Sequence, residues 1–163
     1  MFGLIRSRLG NEEGFTLVEL MVVVLIIAIL VAIAIPTFLG ARTSAQDRAA
    51  QSDLRNSLTA AKVFYVDNED YGSGAGLTDI TYAAALSVIE PSLTIAAQAA
   101  VASDADGVGA VTGDQTTVFV RQSASATWFC IADDVSAGGG TTYNSGAAKA
   151  DVDTLAECGN ASW

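Results

Sequence analysis

The sequence predicts an α+β fold, a long N-terminal helix packed on a small antiparallel β-sheet. Three observations predict it. Phe15 to Ile35 is an apolar run of 21 residues whose only charge is Glu19. Beyond Pro36, apolar residues recur at helical spacing as far as Tyr65. In the last third, short stretches rich in β-branched and aromatic residues follow one another with turn formers between them and no long helix. Strands of that kind, evenly spaced, pair antiparallel.

At about 1.5 Å per residue, a helix over the apolar run covers roughly the 30 Å of a bilayer core. A charge inside such a run costs about 2.5–3.5 kcal/mol at the helix centre on insertion scales, so it calls for a partner. Glu19 lies four residues beyond Phe15. A cut after Gly14 gives Phe15 a new α-ammonium, and that cation is the natural partner. An ordinary secretory signal peptide fits less well. Its apolar core runs roughly 7–15 residues, and no clear small-x-small cleavage site follows Pro36. A plain uncleaved anchor, with Glu19 snorkelling to the interface, leaves the Gly–Phe–Glu spacing as coincidence.

Past Pro36 the helical pattern continues. Ala50, Leu54, Leu58, Ala61 and Tyr65 share one face, while Arg48, Gln51, Asp53, Arg55 and Lys62 fall largely elsewhere. This amphipathic segment needs a surface for its stripe. Continuous with the anchor, Phe15 to Val66 makes a helix of about 78 Å. Pro36 removes one backbone donor and predicts a kink, and Gly40 adds local weakness one turn later. The helix stops at the turn formers Asp67 to Gly72, ahead of the glycine-rich Gly72 to Gly76. A short helix is expected from Thr81 to Ile89, with Tyr82, Leu86 and Ile89 on one face and Pro91 ending it. Residues 93–103 fit strand or helix equally, and Ser103 to Asp114 reads as an acidic loop. The strands are Thr116 to Arg121, Ala126 to Asp133 and, after Gly138 to Gly140, Thr141 to Asn144.

A chain of 163 residues implies one domain. The net charge is −10, and removing residues 1–14 leaves it unchanged, because Arg6 and Arg8 cancel Glu12 and Glu13. The remaining six basic and sixteen acidic residues disfavour nucleic-acid binding. Arginines lie on both sides of the apolar run (Arg6 and Arg8; Arg42, Arg48 and Arg55), so charge alone leaves its orientation open. Cys130 and Cys158 are the two cysteines. Outside a reducing compartment they pair, or else they stand as two unrelated buried thiols. A bridge would stabilise the chain by about 3.5 kcal/mol in the chain-entropy account.

Histidine is absent from the sequence, and with it the commonest general base and metal ligand. No Gly-x-Ser-x-Gly elbow or phosphate-cradling glycine motif occurs. The carboxylate pairs Asp133-Asp134, Asp151/Asp153 and Asp104/Asp106 read as solvated turns. Asp104-x-Asp106-Gly107, with Asp114 downstream, offers hard oxygens for calcium but lacks the spacing of an EF-hand loop. Asn160-Ala161-Ser162 fits a glycosylation sequon, a motif short enough to arise by chance. The expectation is a chain with no catalytic residues, no metal and no cofactor.

Gly14-Phe15-Thr16-Leu17-Val18-Glu19, followed by the unbroken apolar run and Pro36, resembles the type IV prepilin signature, closely from about Glu12 to Gln51. The resemblance implies a leader over residues 1–14, removed by a prepilin peptidase that cuts between Gly14 and Phe15, and N-methylation of Phe15. It implies a transmembrane helix at 15–36 that later forms a filament core. An amphipathic helix at 37–66 would lead into a head at 67–163. Glu19 then neutralises the Phe15 ammonium of its own chain or of a neighbour, Pro36 marks the bend, and a Cys130–Cys158 disulfide closes the C-terminal region. The implied setting is the cytoplasmic membrane, N-terminus inside and head outside, with an inner-membrane assembly platform as partner. The product is an extracellular homo-oligomeric fibre. Glu19 favours a core subunit over a tip subunit, and a mature chain of 149 residues with a C-terminal disulfide region favours a fibre-forming pilin. The alternatives are a pseudopilin of a type II secretion or DNA-uptake system, and an anchored binding domain that never polymerises.

Overall fold

The computed structural model describes residues 14–72, 76–103, 106–111, 113–159 and 163. The leader residues 1–13, Asp104 of the calcium reading and the Asn160–Ser162 sequon lie outside the described residues.

One helix, α1 (Leu17–Asn68, 52 residues), passes through Pro36 and runs through both of the compact units into which the chain divides, residues up to Ala41 and Arg42–Trp163. Its length equals the expected one, with both ends two residues later. Pro36 has no N–H for the Ala32 carbonyl. One residue on, the Thr37 hydroxyl donates to the Ile33 carbonyl at 3.0 Å.

In the N-terminal unit every described residue is exposed. Sixteen large apolar side chains between Phe15 and Ile35 stand open, from Phe15 at 84% to Val31 at 46%. Half-exposure of each costs on the order of 1 kcal/mol in water, and the sum reaches the whole stability of a typical domain, about 5–15 kcal/mol. This segment is built for a solvent other than water or for other helices.

The second unit is an α+β head. The stripe read from the sequence is the buried one: Ala50, Leu54, Leu58 and Ala61 are buried, with Ser57, Ala60 and Phe64 beside them and Tyr65 partly covered. A second helix, α2 (Asp79–Ile89), starts on Thr78, whose hydroxyl accepts from the Thr81 amide. Tyr82 and Leu86 bury as expected, whereas Ile89 stays 37% exposed. Five strands follow: β1 (Ile95–Ala97), β2 (Val108–Val111), β3 (Thr116–Gln122), β4 (Trp128–Asp134) and β5 (Thr141–Gly146), in spatial order β1-β2-β3-β4-β5.

Strands β2 to β5 pair antiparallel, but β1 pairs parallel with β2, Ile95 opposite Val108 and Ala97 opposite Ala110. The sheet is therefore mixed, which corrects the purely antiparallel expectation. The cause lies in two glycines. Gly107 sits at φ +86°, and a Cβ there would fall 2.3 Å from the Thr94 carbonyl, which accepts from the Val108 amide. At Gly109 a Cβ would meet the Gln98 backbone and a Val120 methyl, each at 2.9 Å. Only glycine lets the crossover lie so close to the strand.

Strand β4 is buried on both faces, and its residues alternate between two clusters. Phe129 and Ile131 join Leu54, Phe64, Tyr82 and Leu86 on the helical side. Trp128, Cys130 and Ala132 join Val118, Val120, Val152 and Cys158 on the other. The second face is covered by the C-terminal segment: a 3₁₀ turn (Lys149–Asp151) and α3 (Leu155–Cys158). Cys130 and Cys158 are bonded to each other, and both are fully buried.

Candidate assembly site

The N-terminal helix begins on a reciprocal cap. Thr16 donates its amide (2.9 Å) and its hydroxyl (2.7 Å) to Glu19 Oε2, and the Glu19 amide donates to Thr16 Oγ1 at 3.2 Å. Thr16-Leu17-Val18-Glu19 is thus a capping box, in which cap and third residue satisfy each other's free amides. The Thr-x-x-Glu spacing was the available signal, and a reading of Glu19 as counter-ion alone passes over it. The carboxylate starts a helix as well as offering charge. Gly14 is the opposite case. A Cβ there would meet nothing within 4 Å, and its φ is not positive, so nothing in the described fold requires glycine. Phe15, just ahead of α1, and Glu19 and Pro36 within it are all exposed, beside an apolar surface that continues around every face of the helix.

The head holds the lower half of α1 through polar contacts that the sequence does not reveal. Asp133 was expected in a solvated turn with Asp134. Instead it is 3% exposed, inside β4 on the helical face. Tyr71 donates to its Oδ2 at 2.6 Å, Thr141 to its Oδ1 at 2.5 Å, and the Lys62 ammonium lies 3.2 Å from Oδ1. Burial pushes the Asp133 pKa up, but the hydroxyls of Thr141 and Tyr71 and the Lys62 charge outweigh it and hold the group below the usual carboxylate range. Tyr71 and Tyr82 shift the other way, above the usual phenol range, chiefly through burial. Farther up α1, Asp47 Oδ1 accepts from Ser123 Oγ at 2.6 Å and Ser125 Oγ at 2.5 Å, which ties the β3–β4 turn to the helix. Asp53 pairs with Arg121 at 3.2 Å. Trp163 donates from Nε1 to the Cys130 carbonyl at 3.0 Å, and its ring contacts Tyr143, Phe129 and the Arg55 guanidinium.

The acidic loop read for calcium uses Asp106 differently. Its Oδ2 accepts from the Ala102 and Ser103 amides and the Ser103 hydroxyl, bonds that hold its pKa low. Among the described residues, no group of three carboxylates or thiols gathers as a metal cage.

The Gly14–Phe15 junction and Glu19, the one charge of an apolar run exposed on every side, lie in the stretch that known proteins match. Residues 9–35 match the family described as the prokaryotic N-terminal methylation motif. The chain is similar to the major component of the type IV wide pilus of Thermus thermophilus, 41% identical over 39% of this chain and 48% of that one. It is similar also to the major type IV pilin of Myxococcus xanthus, 44% identical over 40% of this chain and 30% of that one. A third relative is the type II secretion system core protein G of Escherichia coli, 34% identical over 37% and 42%. The matches thus span half or less of the length of these curated relatives. No solved structure matches the chain.

Proposed function

We propose that this chain is the structural subunit of a type IV pilus. In this reading residues 1–14 are a leader, and a prepilin peptidase cuts between Gly14 and Phe15. The mature chain, N-methylated at Phe15, waits in the cytoplasmic membrane through residues 15–36 with its head, 67–163, outside. An inner-membrane platform then passes it into an extracellular filament whose core is the same helix, and residues 37–66 lead from that core into the head. The observation that carries the reading is the apolar surface of residues 15–35, open on every face, behind a Gly–Phe junction whose glycine the described fold does not need. A residue the fold does not require is free to be read by an enzyme, and a side-chain-free site before the cut suits a peptidase.

Glu19 and the Phe15 ammonium supply the register. Before cleavage Glu19 is occupied by Thr16. After cleavage a cation stands four residues away, on the same chain or on a neighbour. Stranding one partner of such a buried pair costs roughly 3–5 kcal/mol, so subunits settle where the charges meet. Leu, Ile and Val fill the lateral contacts, and Ala28, Ala32 and Ala34 allow close helix approach. In this reading the protein binds copies of itself and lipid, and its role is structural.

Similarity to the secretion core protein G supports the second reading, a pseudopilin of a type II secretion or DNA-uptake system. Intact-mass and N-terminal analysis of material sheared from cells tests the first. The expected product begins at methylated Phe15 and sediments as filaments that Glu19→Ala abolishes. A chain that begins at Met1, or is cut beyond Pro36, overturns the reading. Mature protein that stays with the cells, whose deletion blocks export of secreted proteins, favours the pseudopilin.

A further inference from the structure

Charge is sorted along α1 in a way the head itself does not resolve. Arg48 and Arg55 are exposed and seven residues apart, so they lie on nearly the same face, about 10 Å apart along the axis. Lys62 continues the line but is engaged with Asp133 and Thr141. Both carboxylates on this part of the helix are occupied inside the head, Asp47 by Ser123 and Ser125 and Asp53 by Arg121. Arg55 contacts the Trp163 ring, and no ion pair among the described residues reaches Arg48 or Arg55. Two cations therefore stand without acids on a chain of net charge −10.

The far end of the same helix has the reverse problem. Asp67 and Glu69 are exposed at the C-terminus of α1, with Asp70 next to them, and the last turn carries no basic residue. Carboxylates there face the negative end of the helix dipole, which a cation would relieve. Arg55 and Asp67 are twelve residues apart, about 18 Å along the helix, so one chain cannot pair them.

We propose that the Arg48/Arg55 line of one copy docks on the Asp67/Glu69 end of α1 of a second copy, displaced by roughly 20–30 Å along the helix. The inference rests on the filament reading and adds a head-level contact to it. The two surfaces differ, so the contact is heterologous and repeats without closing, as a fibre requires. An anionic bilayer would satisfy the arginines but leave Asp67 and Glu69 uncompensated, which favours the second copy.

The test compares sheared filaments from cells that express the full chain. Arg48→Glu alone, which leaves the Arg55–Trp163 contact in place, is expected to lower the pelleted fraction roughly ten-fold, as is Asp67→Arg with Glu69→Arg. Combining the two sets in one chain restores filaments, and an Arg48→Cys/Asp67→Cys chain gives intermolecular disulfide ladders. Retention of the Cys130–Cys158 bridge and of the far-ultraviolet spectrum shows that the variants are folded. Wild-type filament yield in Arg48→Glu overturns the docking, and so does failure of the combined variant to recover while wild type assembles. Reduced binding of Arg48→Glu to phosphatidylglycerol vesicles with normal filaments overturns it in favour of lipid. Absence of filaments in the wild type overturns the pilus reading itself, and the docking with it.

Discussion

The two halves of α1 share a secondary structure and follow opposite rules of burial. In the N-terminal half Leu, Ile and Val occupy every face and none is covered. In the head half the apolar residues keep to one stripe, and that stripe is among the most deeply buried surface of the chain. A helix apolar all round is made for lipid or a helical core, whereas an amphipathic one is made for a single sheet in water. The first half thus leaves its apolar surface open, while burial in the second marks contacts already made.

Stability measurements on the full chain in detergent should separate the halves. Leu54→Ala, at a fully buried position, should lower head stability by about 2–5 kcal/mol, whereas Leu25→Ala should leave the urea midpoint of the head unchanged. Equal effects at the two positions would erase the distinction. Removing the disulfide by Cys130→Ala with Cys158→Ala should cost about 3.5 kcal/mol and act on the head transition alone. Asp133→Ala strands Tyr71, Thr141 and Lys62, and should cost about 2 kcal/mol by equilibrium unfolding.

The pH profile sharpens the same contrast. Asp133 has its folded pKa below the ordinary value of 3.8. Its contribution is therefore complete above about pH 4 and is lost as the pH falls through the folded value. Tyr71 and Tyr82 lie above their ordinary value of 10.0, so their contribution is complete below about pH 10 and falls away on the alkaline side. Melting curves of the head should weaken at both extremes, and Asp133→Asn should flatten the acid limb. The smallest effect is expected at the β3–β4 turn, where Asp47→Ala should cost about 1 kcal/mol and loosen amide protection around residues 44–50 in hydrogen exchange.

The parts legible in the sequence are those that a local pattern controls. The span of α1 followed from one apolar run joined to one stripe, and β3, β4 and β5 followed from β-branched and aromatic runs. Strands β1 and β2 escaped because Ile95–Ala97 and Val108–Val111 are short and rich in alanine or glycine. Their pairing depends on backbone approach at Gly107 and Gly109, which the sequence does not display. Asp133 looked like half of a solvated pair because two of its partners, Lys62 and Tyr71, come from more than 60 residues away, and the third, Thr141, reaches it only through the β4–β5 pairing. Within the candidate site, the Gly14–Phe15–Glu19 spacing was plain. The bond from Thr16 to Glu19 was legible in principle, as a capping box, but hidden behind the more conspicuous charge.

The chain has two tryptophans, and the fold gives each a separate post. Trp128 lies in the cluster on the C-terminal side of the sheet, and Trp163 packs with Phe129 and Tyr143, its indole N–H on the Cys130 carbonyl. The apolar helix contains neither. Intrinsic fluorescence excited at the red edge of the spectrum is therefore blind to the apolar helix and reports on both faces of the head sheet. Reduction of the Cys130–Cys158 bond, which neighbours both indoles, should change that emission while the apolar helix contributes nothing to it.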